Sequence, residues 1–113
     1  MIKGKVILVP FPFDDLSAAK VRPAVCLTDL IGTHRHIVLA FITSRIPHDL
    51  LDTDLVLDSS LPDFAVTGLR ASATLRLHRL MTAATSLIQR ELGELSPAMQ
   101  GEVDSRLRKL FSL

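Results

Sequence analysis

The chain has 113 residues, of which 48% are hydrophobic and 22% are charged, and its formal net charge is +1. These values predict one globular domain over residues 1–113 and exclude a disordered tail. They also exclude an overall basic protein that coats nucleic acid, so RNA binding would require a local basic patch. Cys26 has no partner for an internal disulfide, the N-terminus lacks a signal-peptide pattern, and the apolar runs are too short to cross a bilayer. We therefore expect a cytoplasmic protein without membrane contact.

The N-terminal half of the sequence predicts a meander of three strands. Residues 6–13 are apolar on both faces but include Pro10 and Pro12, whose missing N–H groups predict that this strand ends at a sheet edge or a bend. Turn formers and small residues at 14–20 predict an exposed loop. Strands are predicted at 22–28 and 36–43, separated by a turn at 31–34.

The C-terminal half predicts further strands and a terminal helix. Alternation over residues 52–58 predicts a half-buried strand with Leu55 and Leu57 on one face and Asp54 on the polar face, and residues 72–78 alternate more clearly. A short helix is predicted from residue 85 or 86 through 91, ended by Gly93. Ser96, followed by a proline, begins an amphipathic helix. The sequence therefore predicts a mostly β fold, a small β-barrel covered by a C-terminal helix.

Several blocks of the sequence carry a family resemblance. GKVILVPFPFDDLS at 4–17 is followed by KVRPAVCL at 20–27, FITS at 41–44, SATLRLHRLM at 72–81 and LGELS at 92–96. In this order they resemble the PemK-like branch of the MazF/PemK/Kid toxins over nearly the whole chain. The resemblance implies an SH3-like barrel, shared with the CcdB toxins, and a homodimer. It also implies a type II toxin–antitoxin toxin that cleaves single-stranded RNA sequence-specifically, without metal or cofactor, and so inhibits translation and growth.

Arg22 stands at the start of the second predicted strand, and Thr43 stands at the end of the third. Pro23 restricts Arg22 to an extended backbone, and a guanidinium of fixed direction can donate two hydrogen bonds to a phosphate. The Thr43 hydroxyl can bind a phosphate oxygen or a ribose 2′-hydroxyl. In the alternative interpretation, Arg22 is an exposed arginine at a strand edge with no chemical role, and Thr43 occurs where it does because threonine favours β-strands. The resemblance implies that both are catalytic.

Arg76 and His78 lie two residues apart on the polar face of one strand, together with Thr74, so their side chains should project to one side. Histidine can carry a proton near neutral pH, and arginine binds phosphate. Solvation of an exposed sheet face is the alternative interpretation. The segment resembles a place where the Kid-like members carry an Arg-x-Asp pattern, and His78 stands at the position of that aspartate. The identity of the residue that carries the proton therefore stays open.

Additional RNA contacts are predicted on loops and strand ends. The candidates are Phe13, Ser17, Lys20, Ser44, Arg45 and Thr74. Arg35, Arg70 and Arg79 would widen a basic groove for single-stranded RNA, although solvated faces explain such charges equally well.

A metal site is not predicted from the histidines. His34 and His36 flank Arg35, but a histidine pair two residues apart, with no carboxylate or cysteine at ligand spacing, is a weak signal. Cys26 in an apolar strand is typical of a buried, inert thiol.

In the implied reaction the ribose 2′-hydroxyl attacks the adjacent phosphorus and leaves 2′,3′-cyclic phosphate and 5′-hydroxyl ends. Arg22 would stabilise the developing charge, Thr43 would hold the phosphate or 2′-hydroxyl, and Arg76 and His78 would assist. Two alternatives stay open: a CcdB-like gyrase-binding toxin, and a degenerate member that only binds RNA or its antitoxin.

The expected partners are single-stranded RNA, a second copy of the chain and a cognate antitoxin. A disordered segment of the antitoxin would fold into the RNA groove, and DNA would be reached only through that antitoxin.

Overall fold

In the computed structural model, which describes residues 1–11 and 20–113, six antiparallel strands form one sheet that curls into a half-barrel, followed by one helix. The strands are β1 (Lys5–Pro10), β2 (Val21–Cys26), β3 (His36–Thr43), β4 (Asp54–Leu57), β5 (Ala73–Ala84) and β6 (Arg90–Glu94), and the helix is α1 (Pro97–Leu110). Their order across the sheet is β4-β5-β3-β2-β1-β6. The predicted mostly β fold with a C-terminal helix is confirmed.

Strand β1 lies in the interior of the sheet, between β2 and β6. Pro10 is its last residue and pairs with Val21 of β2, whereas the pairing of β1 with β6 stops at Leu8. A proline at the end of a strand interrupts no further hydrogen bond to β6, which is why an interior position is tolerated.

The core consists of two clusters on opposite faces of the sheet. Alternate residues of β1 enter different clusters: Val6 lies in the cluster that α1 covers with Met99 and Val103, and Ile7 lies in the other. This division explains why the first strand is apolar on both faces. The second cluster, which includes Phe41, lies on the face opposite α1.

The helix predicted at residues 85–91 is wrong. Thr85–Leu87 forms a single 3₁₀ turn, and Arg90–Glu94 is strand β6, which pairs with β1. Pairing with a neighbouring strand overrides a weak local helix preference. Gly93 therefore ends no helix: a Cβ there would lie 2.2 Å from the Val66 carbonyl oxygen, so the glycine permits a close approach of two backbones.

The start of α1 agrees with the sequence prediction. The Ser96 hydroxyl accepts a hydrogen bond from the Met99 N–H at 3.1 Å and also bonds to Asp63, and Pro97 occupies the first turn. This cap is the ordinary way to satisfy the first free N–H groups of a helix. Among the described residues no helix has the length and apolar character needed to span a membrane.

Candidate active site

An open cleft of about 690 Å³ lies where β2, β3 and β5 meet the loop between β3 and β4. Phe41 of the second core cluster and Ile42 of the first both contribute to its wall, so the cleft lies at the end of β3. The polar side chains that line it are Arg22, Thr43, Ser44, Arg45, His48, Asp49, Arg76 and Arg79. The structure therefore brings together Arg22, Thr43 and Arg76, three of the four predicted catalytic residues.

Arg22 is supported by an aromatic pair. Its guanidinium carbon lies 5.7 Å from the centroid of the Phe11 ring, within the range of a cation–π interaction. Phe11 in turn packs edge-on against Phe41, with ring centroids 4.8 Å apart and an interplanar angle of 87°. Pro23 restricts the backbone, as predicted, and the aromatic pair adds a support that the sequence analysis missed. The only feature of the sequence that pointed to this aromatic support of Arg22 was the position of Phe11 between two prolines.

Thr43 ends β3 beside Thr74 of β5, its cross-strand partner. The Thr43 hydroxyl accepts a hydrogen bond from the backbone N–H of Arg45 at 3.4 Å. This turn directs the chain into the loop that carries Ser44 and Arg45, and both line the cleft.

The structure describes only some of the other residues that were predicted to contact RNA, and not all of those line the cleft. Lys20 is exposed and does not line the cleft, but its carbonyl accepts a hydrogen bond from the N–H of Phe11 at 2.9 Å, so it stands next to a lining residue. Phe13 and Ser17 lie outside the described residues. Of the wider basic set, Arg79 lines the cleft, whereas Arg35 borders a separate depression near the N-terminus.

Asp54 holds Arg76 in place. Arg76 donates from Nε to Asp54 Oδ1 at 3.2 Å and from Nη2 to Oδ2 at 3.1 Å, and the side chain of Asp54 is 0% exposed. The carboxylate also accepts a hydrogen bond from the N–H of Leu51 at 2.9 Å, and Arg106 of α1 donates to the Asp54 carbonyl at 3.1 Å. The prediction that Asp54 lies on an exposed polar face is wrong, because its ion pair with Arg76 satisfies the carboxylate inside the protein.

Arg76 and His78 lie in a bulge of β5 and approach the same carboxylate oxygen. Ile42 pairs with Leu75 and Ala40 pairs with Leu80, so an advance of two residues along β3 is matched by five along β5. Arg76 Nε lies 3.2 Å from Asp54 Oδ1, the oxygen that His78 also faces. Within the described chain, His78 is not among the lining residues, and its Nδ1 lies 4.0 Å from Asp54 Oδ1.

The remaining histidine and cysteine candidates lie elsewhere. His34 and His36 face each other at the turn before β3 with ring centroids 5.9 Å apart. Cys26 is buried in β2, and burial raises the pKa of its thiol to about 11. In the part of the chain that the structure describes, no three His, Cys, Asp or Glu side chains are grouped to hold a metal ion.

Two fully buried threonines differ in their hydrogen bonding, and this difference gives a test. The Thr67 hydroxyl donates to the Phe64 carbonyl at 2.7 Å and accepts from the N–H of Leu69 at 3.2 Å, whereas the Thr74 hydroxyl has no hydrogen-bond partner among the described residues. An unsatisfied buried polar group costs about 1–3 kcal/mol. We expect Thr67→Val to lower the free energy of unfolding by about 1–3 kcal/mol, since it removes both bonds.

The isosteric change Thr74→Val serves as the matched comparison. It should leave the free energy of unfolding unchanged or raise it by about 1 kcal/mol, because the hydroxyl contributes no bond in the free protein. Urea unfolding of both variants measures the difference. Equal losses in the two variants would contradict this description of Thr74.

The charges of the cleft define the class of site. Among the described residues, four guanidinium groups line it, from Arg22, Arg45, Arg76 and Arg79, against one lining carboxylate, that of Asp49, and the buried one of Asp54. Arginines beside strand-end hydroxyls are groups that bind phosphodiesters. The fold and the cleft thus define a small half-barrel protein with a basic site suited to a phosphate-bearing chain.

The family follows from the sequence of nearly the whole chain. Residues 2–111 match the family model described as PemK-like, MazF-like toxin of type II toxin-antitoxin system, and the chain belongs to this family. The resemblance found in the sequence is confirmed.

Solved structures show the same fold. A mycobacterial endoribonuclease in complex with its cognate antitoxin matches with a TM-score of 0.73 at 14% identity, over 100% of this chain and 96% of that chain. The Mycobacterium tuberculosis toxin MazF-mt6 matches with a TM-score of 0.71 at 19% identity, over 96% and 97%. MazF from Deinococcus radiodurans gives 0.70 at 16% identity, over 100% and 97%. No curated protein matches the chain significantly.

Proposed function

We propose that this toxin is a metal-independent endoribonuclease that cleaves single-stranded RNA, including mRNA, at specific sequences and thereby stops translation and growth. The observation that carries the proposal is the meeting of Arg22, Thr43 and Arg76 in one cleft. Two guanidinium groups from different strands can bind successive oxygens of one phosphodiester, and a hydroxyl lies beside them. A structural relative described as an endoribonuclease adds support.

The reaction uses a nucleophile within the RNA. The ribose 2′-oxygen attacks the adjacent phosphorus, the bond from phosphorus to the 5′-oxygen of the next nucleotide breaks, and the products carry 2′,3′-cyclic phosphate and 5′-hydroxyl ends. Arg22 stabilises the negative charge that builds on the phosphoryl oxygens, and Thr43 holds the phosphate or the 2′-hydroxyl. Such fixed donors are worth most where charge develops in the transition state.

Arg76 and His78 assist from β5 in different ways. The bonds of Arg76 to Asp54 use Nε and Nη2, so Nη1 remains available for a phosphate oxygen. His78 stands beside the same carboxylate. We assign Arg76 to phosphate binding and His78 to support of the Asp54–Arg76 pair.

The RNA backbone extends from the phosphate site along the loops. Ser44 and Arg45 contact it in the cleft, and Lys20 adds charge beside Phe11. Thr74 is fully buried and pairs with Thr43 across β3 and β5, so we assign it to support of Thr43 and not to direct contact with RNA. Phe13 and Ser17 complete the proposed set.

The proposed assembly is that of a single-domain cytoplasmic toxin, residues 1–113, acting as a homodimer. Its antitoxin inhibits it by placing a segment that folds on binding across the basic cleft, in competition with RNA. Contact with DNA occurs only through the antitoxin. One structural relative was solved with its cognate antitoxin, which supports this partner.

Incubation of the purified protein with a long single-stranded RNA in EDTA tests the function. Discrete cuts at one recurring short sequence are expected, because EDTA removes divalent metals and leaves the arginine site intact. A gyrase supercoiling assay runs beside it. Intact RNA together with inhibited gyrase would replace the proposal with a CcdB-like activity, and intact RNA with active gyrase would indicate a degenerate member.

A further inference from the structure

The proposed reaction requires a proton acceptor that the phosphate-binding residues do not provide. Guanidinium groups stay protonated at any physiological pH, and the hydroxyls of Thr43 and Ser44 are too weakly basic. Among the described side chains that line the cleft, only His48 and Asp49 can accept a proton near neutral pH.

His78, the proton carrier suggested by the sequence, is placed elsewhere. Its Nδ1 faces Asp54 at 4.0 Å, and in the described part of the chain it does not line the cleft. The Asp54 carboxylate itself is fully buried and already accepts two hydrogen bonds from Arg76. Neither group is among the described residues that line the cleft.

The loop that carries His48 is attached at both ends to residues of the site. At its beginning the N–H of Arg45 donates to Thr43 Oγ1, and at its end the N–H of Leu51 donates to Asp54 Oδ2, the oxygen that Arg76 also binds. His48 therefore lies on a loop held between Thr43 of β3 and Asp54 of β4, the ion-pair partner of Arg76. Such attachment keeps a catalytic group near the reacting atoms.

We propose that His48 is the general base of RNA cleavage, an inference that rests on the proposed function. The neutral imidazole takes the proton from the 2′-hydroxyl as the 2′-oxygen forms its bond to phosphorus. The bond from phosphorus to the 5′-oxygen breaks with its electron pair on oxygen, which takes a proton from water in the open cleft. The imidazolium then releases its proton to solvent, and the enzyme returns to its starting state.

Histidine suits this role better than its neighbour Asp49. A neutral imidazole can accept a proton and release it again within one turnover, whereas a carboxylate is a much weaker base. The described charged and titratable groups that line the cleft with His48 are Arg22 from β2, Arg45 and Asp49 from its own loop, and Arg76 and Arg79 from β5. These cations stabilise the phosphoryl charge, which leaves proton transfer to the imidazole.

The test is the single-turnover rate of cleavage as a function of pH, from about 5 to 9. The substrate is a short RNA cut by the wild-type protein. We expect the wild-type rate to rise tenfold per pH unit at low pH and level off near neutrality. His48→Gln should lose this rise and cleave about 10²–10⁴-fold more slowly. His34→Gln, a matched control at an exposed histidine that does not line the cleft, should keep the rise.

Two further measurements separate base catalysis from a structural role. Added imidazole should restore part of the activity of His48→Ala, because the small molecule can occupy the space of the missing ring. The affinity for an uncleavable 2′-deoxy analogue, measured by fluorescence anisotropy, should change little in His48→Gln.

Several outcomes would overturn the inference. A wild-type pH profile in His48→Gln, or loss of the pH dependence in Asp49→Asn instead, would assign the proton to another group while the endoribonuclease function stands. A wild-type protein that cuts no RNA at any pH would refute the proposed function and this inference together. The wild-type measurement therefore distinguishes the two failures.

Discussion

Arg22→Ala is expected to slow RNA cleavage by about 10²–10³-fold, the usual cost of removing one donor that stabilises developing charge. The effect should fall mainly on the rate of the chemical step, because charge on the phosphoryl oxygens is greatest in the transition state. The variant should still fold, because Arg22 is only partly buried and the Phe11 ring that it contacts is also partly exposed.

Two matched variants sharpen the Arg22 experiment. Arg22→Lys keeps the charge but loses the planar pair of donors, so it should recover only a small part of the activity. Arg70→Ala removes an exposed arginine that does not line the cleft and should leave the rate unchanged. Single-turnover cleavage with circular dichroism of each variant gives the answer. Wild-type activity in a folded Arg22→Ala protein would remove Arg22 from the mechanism.

Asp54→Ala is expected to lower the free energy of unfolding by about 3 kcal/mol, because removal of one partner of a buried ion pair leaves the other charge uncompensated. The substitution also removes the acceptor for the N–H of Leu51, which frees the end of the β3–β4 loop. Arg76 is 17% exposed, so water can relieve part of the penalty, and the expected loss lies at the lower end of the usual range.

The control for Asp54 is its exposed neighbour on the chain. Asp52→Ala should change the free energy of unfolding by less than about 0.5 kcal/mol. In urea unfolding, the double variant Asp54→Ala/Arg76→Met should regain part of the stability lost in Asp54→Ala, because no unpaired charge remains. Equal stability of Asp54→Ala and Asp52→Ala would contradict the role assigned to the pair.

Elements with a strong local signal were predictable from the sequence. Residues 36–43 form β3 as predicted, since β-branched and aromatic residues follow one another there, and α1 begins at the Ser96–Pro97 cap. Strand β6 was not predictable in this way. Its residues carry a weak helix pattern, and only the pairing with β1 fixes them as a strand.

The site was predictable where its residues stand in sequence motifs and not where tertiary contacts place them. Arg22, Thr43 and Arg76 were identified from such motifs. Asp54 was missed because its partner Arg76 is 22 residues further along the chain, and no alternating pattern reveals that a carboxylate is buried. His48 was missed as a cleft residue because its loop reaches the site only through attachments to Thr43 and Asp54.

The most direct test of the central claim compares two short RNAs that contain the cut sequence. One is all ribose, and the other has 2′-deoxyribose at the nucleotide whose 2′-oxygen would attack. We predict that the first gives products with 2′,3′-cyclic phosphate and 5′-hydroxyl ends, identified by mass spectrometry, and that the second is bound but not cut. Cleavage of the deoxy-substituted RNA at the same position, or products with 5′-phosphate ends, would contradict cleavage by the RNA's own 2′-hydroxyl in the cleft of Arg22, Thr43 and Arg76.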